Sequence, residues 1–563
     1  MNSKAITWLR PLLILAITIL ITTRFPSFTP SNIPTITPTK NKTITPKTQI
    51  TTIPTNSPVS KINPPFELWF SPDIPPEIRQ SISANEKINL VDTKEKSNIQ
   101  LNLSGTHSLA HWIFALVAPF PTITDGISST NLLDIWSKGN PGNYPITNLL
   151  VDDATRNLFQ KIWGAPSGFV STASKDEILK IVWSQKTAWA IIPFDKIEYR
   201  WKVLDVDGMN PIHKDFSPDQ YPLNISLFVD GESTVVGKFI NEFGPNSKSP
   251  ILPVSNRNPD LLTTVVMTGT TALVRATAGM MELKGMTYPG IDIRNILREA
   301  DFAHISNEIP FTPKCPPPYP RINSLVFCSS PKYIELLEDI GADVVELSGD
   351  HFNDAGPDAV LYTIDMYKQR DWLYYGGGVN LEDGRKPLKI EHNGNRIAFI
   401  GCNAKDPGYA GATATQPGAV HCDFNYLVDQ LKSLKSEGYI PIVTFQHLEY
   451  YAYSINPILQ NDFHNVSDAG AVIVSGSQAH QPQGIEFYQD SFLHYGLGNL
   501  FFDQYDEGYP TRKAFIDRHV FYNGKYINTE LITILFIDYA RPRLMTPEER
   551  KSLLETIFAV SLW

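Results

Sequence analysis

The second half of the chain, from about residue 259, alternates apolar runs with segments of helical periodicity. The apolar runs have the length of strands and end in turn or polar residues. They are LLTTVVMTGT, FAHISNEI, DVVELSG, RIAFIGCN, YIPIVTFQH, AGAVIVSGS, FLHYGLGNLFF and ELITILFIDY. Between several of them lie amphipathic helical segments, namely SPKYIELLEDIG, AVLYTIDMYKQ and YLVDQLKSLKSEG. The alternation predicts a layered α/β domain over 259–563.

The segment MTPEERKSLLETIF closes the chain with the signature of a helix start. Thr546 and Glu549 have the spacing of a capping box. Pro547 takes the first helical position, where the missing N–H removes no helical hydrogen bond. We therefore predict a terminal helix.

Residues 66–255 show the same alternation with shorter elements. LLDIWSKG and RNLFQKIWG predict short amphipathic helices that end at glycine, and TAWAIIPFDKI and WKVLDVDG predict strands. The region has no nucleophile elbow and no glycine-rich phosphate loop of the usual spacing. We predict a smaller α/β domain over 66–255, and a break in the Pro- and Ser-containing segment 245–260.

The N-terminus has the pattern of a membrane-targeting segment. Lys4 and Arg10 precede an apolar run from Pro11 to Thr23, and no A-x-A cleavage site follows. We favour an uncleaved signal anchor over 1–23 above a cleaved signal; in both cases the bulk of the chain lies outside the cytoplasmic membrane. Residues 24–65 repeat Thr and Pro and predict an extended, semi-rigid linker.

Composition narrows the class of protein. A length of 563 residues predicts two or three domains, and a formal net charge of −10 argues against a nucleic-acid partner, which needs a basic face. The four cysteines, Cys315, Cys328, Cys402 and Cys422, form no CxxC pair, so a thiolate zinc site is not expected. Two disulfides in an oxidising compartment and four buried thiols both remain open.

Polar residues collect in the loops that follow the predicted strands of the second domain. In layered α/β domains such loops form the site, and carboxylates with imidazoles are the ligands that divalent metals take. The candidates of these types are Glu308, Asp350, His351, His447, Glu449 and His480. Asp350 or Asp354 is also suited to cap the following helix. The alternative to a ligand role is a hydrogen-bonded loop residue for His480 and a residue at the pocket rim for Glu449. The shared placement of the set predicts a functional pocket.

Six of these stretches, in order over about 259–540, resemble the motifs of the CapA family of capsule and poly-gamma-glutamate biosynthesis proteins, within the metallophosphatase superfamily. They are GTTALVR, SNEIPF, GDHFNDAG, FQHLEYY, GSQAHQPQ and YGLGNLFF. The resemblance implies a four-layer αββα sandwich of two mixed sheets between helices. Residues 66–255 resemble the periplasmic solute-binding-like domain that precedes some CapA domains.

The chain departs from the family motifs at several positions. Thr270 stands where the family has Asp, Asp350 where it has Asn, and Gln478 where it has the first His of GhHpH. The His of the HWG motif falls near Phe445 or Gln446. The positions that keep the family residue are Arg275, Asn307, Glu308, His351, Asp354, Gly356, Glu449, His480 and Asn499. Two tightly bound metals are not expected, because Thr and Gln are weak, neutral ligands.

The resemblance implies roles for the retained residues. One divalent metal, Mn, Zn or Fe, would bind Glu308, Asp350 and His480. His351 and Arg275 would be catalytic, with His351 as the proton donor. The substrate-binding residues would be Asn307, Glu449 and Asn499. Within the SGDHFNDAG loop, we expect Asp354 and Gly356 to start the helix. A pocket without metal, which binds an anionic polymer through Arg275, is equally compatible with the sequence.

Three functions follow. The first is a membrane-anchored, extracytoplasmic hydrolase or transferase of surface-polymer assembly, with an anionic polymer or its precursor as substrate and a polymer synthase or export complex as partner. The second is a non-catalytic polymer-binding or export factor that keeps the metallophosphatase fold. The third is a solute receptor centred on the loops of 110–121 and 191–202.

Overall fold

The structure, a computed structural model, describes residues 65–82, 85–319, 326–405 and 408–563. The predicted signal anchor and all but the last residue of the predicted linker lie outside these ranges. Within them, no helix is both long and apolar enough to cross a bilayer.

The first part of the described chain forms one sheet of ten strands with helices packed against it. Its strands are β1 (Phe66–Phe70), β2 (Ile88–Leu90), β3 (Ile99–Asn102), β4 (His107–Pro119), β5 (Gly126–Ile127), β6 (Asn148–Val151), β7 (Val170–Thr172), β8 (Ala188–Pro193), β9 (Trp201–Val206) and β10 (Asn224–Gly231). Its α-helices are α1 (Pro76–Gln80), α2 (Ser129–Lys138), α3 (Asp153–Trp163), α4 (Lys175–Gln185) and α5 (Ser233–Phe243). The main strand order is β2-β1-β3-β10-β4-β8-β6-β7, and the long strand β4 joins the two halves of the sheet. Its glycine-ended helix α2 stops at Gly139, whose φ of +67° suits glycine.

The second part contains two larger sheets. Its strands are β11 (Leu262–Thr271), β12 (Phe302–Asn307), β13 (Val344–Glu346), β14 (Leu373–Tyr375), β15 (Gly377–Gly378), β16 (Leu388–His392), β17 (Asn395–Asn403), β18 (Gly418–Ala419), β19 (Ile440–Gln446), β20 (Ile473–Gly476), β21 (Ile485–Tyr488), β22 (Ser491–His494), β23 (Asn499–Phe501), β24 (Lys513–Tyr522), β25 (Lys525–Ile537) and β26 (Arg541–Leu544). Its α-helices are α6 (Arg275–Lys284), α7 (Arg294–Arg298), α8 (Ile334–Asp339), α9 (Pro357–Lys368), α10 (Leu381–Gly384), α11 (Phe424–Ser436), α12 (Pro457–Asp468) and α13 (Pro547–Val560).

The two sheets face each other and are mixed. One has the order β14-β13-β12-β11-β24-β25-β26 with β23 beside β11, and the other has the order β16-β17-β19-β20-β22-β21. In β19, the neighbours Ile442 and Val443 point to opposite faces, because side chains alternate along a strand. Ile442 packs between the sheets with Val265 and Phe399, whereas Val443 packs outward against the helix residue Phe463.

Helices cover the outer face of each sheet and complete four layers. On the first sheet, Ile305 and Val345 pack against Leu336 and Ile364 of the helical layer. All ten residues of β11 are buried, as expected of a central strand with both faces covered. The predicted four-layer αββα sandwich is confirmed. The predicted terminal helix is also confirmed, since Thr546 and Glu549 form both bonds of a capping box at the start of α13.

Polar and aromatic contacts join the two parts. Asp125 of the first part accepts hydrogen bonds of 2.8 Å from the Arg550 guanidinium of α13. His213 contacts the Glu530 carboxylate at 2.7 Å; burial alone would raise the pKa of Glu530, but this contact holds it at about 2. The Phe120 ring lies edge-on to Phe487 at 5.1 Å. The residues from 64 to 563 accordingly form one compact unit.

All four cysteines are bonded in two disulfides, Cys315–Cys328 and Cys402–Cys422. The structure thus decides the question that the sequence left open. Cys402 lies in β17, one residue before the strand ends at Asn403. The second disulfide therefore ties the end of a central strand of the second sheet to the segment after β18.

Removal of the second disulfide should destabilise the fold. We expect the double variant Cys402→Ser, Cys422→Ser to lose about 3 kcal/mol of unfolding free energy, because the bond closes a loop of 20 residues' separation in the unfolded chain. Urea unfolding under oxidising conditions measures the loss. The matched control, Cys315→Ser with Cys328→Ser, opens a loop of 13 residues' separation and should lose a similar amount. An unfolding curve of the wild-type chain that a reducing agent leaves unchanged would contradict this expectation.

Candidate functional site

The loops at one end of the two sheets enclose an open cavity of about 540 Å³. Glu308 follows β12, His351 lies in the loop after β13, Glu449 follows β19 and His480 lies after β20. Cavity-lining residues among those predicted from the sequence are Arg275, Glu308, His351, Glu449 and His480. The aromatic residues Phe327, Tyr451 and Phe502 form part of its wall.

Glu308, Asp350 and His351 form an acidic cluster at this cavity. Their ligand-type atoms all lie within 4.8 Å of one another. Glu308 is almost fully buried, and burial raises the pKa of its carboxyl to about 8 against the opposing charge of His351. Burial would raise the pKa of Asp350 as well, but the hydrogen bond from the Lys405 ammonium and the charges of His351 and Lys405 together outweigh it, and the pKa is lowered. The pKa values of the neighbouring Glu308 and Asp350 carboxyls are thus shifted in opposite directions.

His351 is fixed by Asp354. Its Nδ1 lies 2.8 Å from Asp354 Oδ2, and the same carboxylate oxygen accepts a hydrogen bond of 2.7 Å from the Phe327 backbone N–H. Burial alone would lower the pKa of His351, but the bond to Asp354 and the charges of Glu308 and Asp350 raise it to about 9. The imidazole is therefore protonated at neutral pH.

Asp354 was predicted to start the following helix, and that prediction is wrong. Helix α9 begins at Pro357 with Gly356 as its N-cap, and no side chain caps it. Gly356 has a φ of +86°, a conformation that glycine adopts without a steric penalty. Asp354 instead orients His351.

Lys405 is a residue of the site that the sequence reasoning missed. Its ammonium Nζ lies 2.9 Å from Asp350 Oδ2 and 3.0 Å from Glu449 Oε1. Burial alone would lower the pKa of Lys405, but these carboxylates raise it above its ordinary value. The signal was available, because Lys405 follows the end of β17 by two residues, as the other site residues follow their strands.

The positions that depart from the family motifs make internal hydrogen bonds. Thr270 Oγ1 donates to the Ser477 carbonyl at 2.6 Å. The Gln478 amide Nε2 lies 3.3 Å from Glu308 Oε1 and 3.4 Å from Glu449 Oε1, so a neutral donor links two carboxylates. His447 pairs through Nε2 with Asp462 at 2.8 Å.

The predicted residues His480, Asn499 and Asn307 are buried around the cavity. His480 Nδ1 lies 2.9 Å from Asn499 Oδ1, and burial lowers the pKa of His480. His351, and not His480, is the imidazole of the acidic cluster. Asn307 donates its amide to the Ile309 carbonyl at 2.7 Å and to the Tyr367 hydroxyl at 2.9 Å. The Asn307 amide thus stabilises the loop of Glu308, and the Asn499 amide stabilises the loop of His480.

Arg275 lies in the cavity wall at the first position of α6. Its guanidinium carbon is 5.2 Å from the Phe327 ring centre and 4.7 Å from that of Phe502. One guanidinium N–H donates to the Asp503 carbonyl at 2.9 Å, whereas Nε has no partner among the described residues. Burial lowers the pKa of the guanidinium. A buried cation with an unused donor favours an anionic ligand.

Comparison with known proteins finds a matching family and two relatives for this region. Residues 264–504 match the profile of the family described as bacterial capsule synthesis protein PGA_cap. This region of the chain is similar to the CapA family. It is 26% identical over 286 residues to the capsule biosynthesis protein CapA of Bacillus anthracis, across 49% of this chain and 68% of the relative. It is 27% identical over 173 residues to the PGA biosynthesis protein CapA of Bacillus subtilis, across 30% of this chain and 45% of the relative.

Solved structures give fainter likenesses. A 5'-nucleotidase precursor from Thermus thermophilus is 13% identical with a TM-score of 0.31, over 53% of this chain and 58% of the other. An ABC-type phosphate transport receptor from Vibrio cholerae is 14% identical with a TM-score of 0.21, over 26% of this chain and 75% of the other. At TM-scores this low, the likeness says nothing about ligand or activity.

The His351–Asp354 pair predicts a pH-dependent contribution to stability. The pKa of His351 is about 9 in the folded chain and about 6.5 when unfolded, so the contribution is fully present below pH 6.5 and is lost as the pH rises through 9. We expect the unfolding free energy lost in His351→Gln to be larger at pH 6 than at pH 9.5, by at most about 3 kcal/mol. Urea unfolding with a chelator present measures this difference.

The Asp354→Asn background supplies the control. Without the Asp354 carboxylate, the main cause of the raised pKa is removed, so the effect of His351→Gln should depend much less on pH. An equal pH dependence in both backgrounds would assign the effect to other groups.

Proposed function

We propose that this chain is an extracytoplasmic, membrane-anchored protein of anionic surface-polymer assembly that hydrolyses or transfers a bond of the polymer or of its precursor. Similarity to the CapA family supports the biological setting, since relatives are named for capsule and PGA biosynthesis. Two disulfides favour an oxidising compartment. The N-terminal segment 1–23 would provide the anchor, and a polymer synthase or export complex is the proposed partner.

The observation that carries a catalytic role is the cluster of Glu308, Asp350 and His351 at the cavity. Glu308 Oε2 and Asp350 Oδ1 are buried with no donor bonded to them within the described part of the chain, and the two carboxyls interact with each other. Unpaired buried oxygens are costly, and a cation between them would remove that cost. Carboxylate and amide oxygens suit a hard divalent metal such as Mn²⁺. The residues therefore fit one divalent metal, with Glu308 and Asp350 as its principal ligands and His480 still a predicted third.

A metal bound there would act as a Lewis acid on the scissile group and lower the pKa of a water molecule. His351 is suited to give its proton to the leaving group, because it is protonated at neutral pH and Asp354 fixes its ring. Arg275 would bind a carboxylate or phosphate of the substrate through its guanidinium at the cavity wall. Phe327 and Phe502 hold the guanidinium between them and limit its movement.

A second candidate function is polymer binding without chemistry. It is favoured by the neutral residues Thr270 and Gln478 in place of metal ligands and by the ion pairs of Lys405 with Asp350 and Glu449. In this case Arg275 and the aromatic wall would hold the polymer, and metal would be dispensable.

Metal analysis separates the two candidates. We expect the purified chain to bind one Mn²⁺, and Glu308→Gln and Asp350→Asn each to weaken binding by about 100-fold or more, because each removes a ligand charge. Isothermal titration measures affinity and stoichiometry. Glu391→Gln, a carboxylate paired with Arg396 on the surface, is the control and should bind as the wild type does. Wild-type chain that binds no Mn²⁺, Zn²⁺ or Fe²⁺ would leave only the polymer-binding candidate.

In the same preparations, His351→Gln should slow turnover of γ-linked glutamate oligomers about 100-fold or more without weakening metal binding, since it removes the proton donor and a positive charge beside the ligands. Release of free amino groups measures turnover. If His351→Gln reacts at the wild-type rate, His351 is not the donor.

Polymer affinity should depend on Arg275 in both candidates. We expect Arg275→Gln to weaken binding of poly-gamma-glutamate about tenfold or more and to reduce its sensitivity to salt, because one charge contact is lost. Fluorescence anisotropy at several salt concentrations measures both effects. Arg396→Gln, which removes an exposed arginine paired with Glu391, is the matched control. Equal losses in the two variants would exclude a specific role for Arg275.

A further inference from the structure

The Lys405 ammonium lies where a cation would have to lie to bridge two site carboxylates. It contacts Asp350 Oδ2 at 2.9 Å and Glu449 Oε1 at 3.0 Å. Gln478 links Glu449 to Glu308 on the other side. The neutral Gln478 amide therefore connects Glu308 to Glu449. The positive Lys405 ammonium connects Glu449 to Asp350.

Asp350 has the two-sided environment of a bridging carboxylate. Its Oδ2 accepts a hydrogen bond from Lys405, whereas no donor is bonded to its buried Oδ1 among the described residues; the Asp350 carboxylate also interacts with the Glu308 carboxyl. The Glu308 carboxyl, whose Oε2 is buried, belongs to one cluster with Asp350 and His351. In two-metal sites, a shared carboxylate of this kind has one metal at each oxygen. Here one of the two positions is filled by Lys405.

The backbone around Lys405 is held firmly enough to place its side chain. The Lys405 N–H donates to Asn403 Oδ1 at 3.0 Å, and the Ala404 N–H donates to the Gln446 carbonyl at 2.8 Å. The Asn403 amide donates in turn to the Ser348 carbonyl, two residues before Asp350, at 2.9 Å. The Cys402–Cys422 disulfide anchors the strand end just before this network.

Thr270 leaves the site with one carboxylate fewer than an Asp at this position would give. A carboxylate there would add a negative charge to the site, but Thr270 is neutral and its hydroxyl donates to the Ser477 carbonyl. The neutral amide of Gln478 provides the hydrogen bonds between Glu308 and Glu449. The site thus contains the carboxylates of Glu308, Asp350 and Glu449, of which the last two contact the Lys405 ammonium.

We propose that Lys405 is the resident second cation of this site and limits it to a single divalent metal between Glu308 and Asp350. The inference rests on the proposed function in its metal-dependent form. Because a lysine ammonium remains attached to the chain, it screens Asp350 from Glu449 at all metal concentrations. A second metal would have to approach the ammonium closely and is therefore excluded.

The test is the Mn²⁺ stoichiometry of the full chain after replacement of Lys405. Lys405→Met keeps the length of the side chain and removes its charge, so it should bind two Mn²⁺ per chain where the wild type binds one. Lys405→Arg keeps the charge and should bind one. Lys389→Met, which removes a surface ion pair with Glu437, is the matched control and should bind one. Titration calorimetry and elemental analysis give the count. Electron paramagnetic resonance tests whether the two ions share a bridging ligand, and circular dichroism tests whether each variant is folded.

The outcomes separate this inference from the proposed function. One Mn²⁺ in both the wild type and Lys405→Met would overturn the role of Lys405 as a second cation and leave the one-metal function standing. Two Mn²⁺ in the wild type would overturn both the role of Lys405 and the one-metal site. No Mn²⁺ in the wild type but one in Lys405→Met would support Lys405 as a resident cation and overturn the metal-dependent function. No Mn²⁺ in either would overturn both.

Discussion

The site depends on the repulsion between carboxylates that the fold holds close together. Glu308, Asp350 and Glu449 come from loops of different strands, and the first of them is almost fully buried. Like charges in a medium of low polarity raise the free energy of the folded chain unless protons, cations or hydrogen-bond donors offset them. The chain provides each of these: the high proton affinity of Glu308, the Lys405 ammonium, the His351 imidazolium and the Gln478 amide.

This constraint explains why the two sheets must be packed firmly beneath the site. A cluster of repelling groups stays together only if its supporting strands cannot separate. The four-layer arrangement provides that rigidity, because β11 and β19 are fully buried and their residues pack on both faces. Contacts within the loops add to it, as in the bond between Asp350 N–H and Gln446 Oε1 at 2.8 Å. The stable core in this way holds the repelling carboxylates close together at the end of the sheets.

The sequence predicted the layers because strand-length apolar runs and helical spacing are local properties. It also predicted most of the cavity, since polar residues after successive strands meet at one end of a sheet. It did not predict Lys405, because a lysine in a loop is usually solvated and only the fold brings it between Asp350 and Glu449. Asp354 was misassigned for a similar reason. Its spacing suits a helix cap, and the competing partner, His351, becomes visible only when Gly356 turns the chain.

The Cys402–Cys422 bond lies directly before the segment that carries Lys405. A disulfide of this kind forms and persists in oxidising compartments and is absent from a reducing cytosol. Full restraint of the segment therefore requires an oxidising compartment. In the proposed extracytoplasmic setting, export would complete the restraint of the segment that carries Lys405.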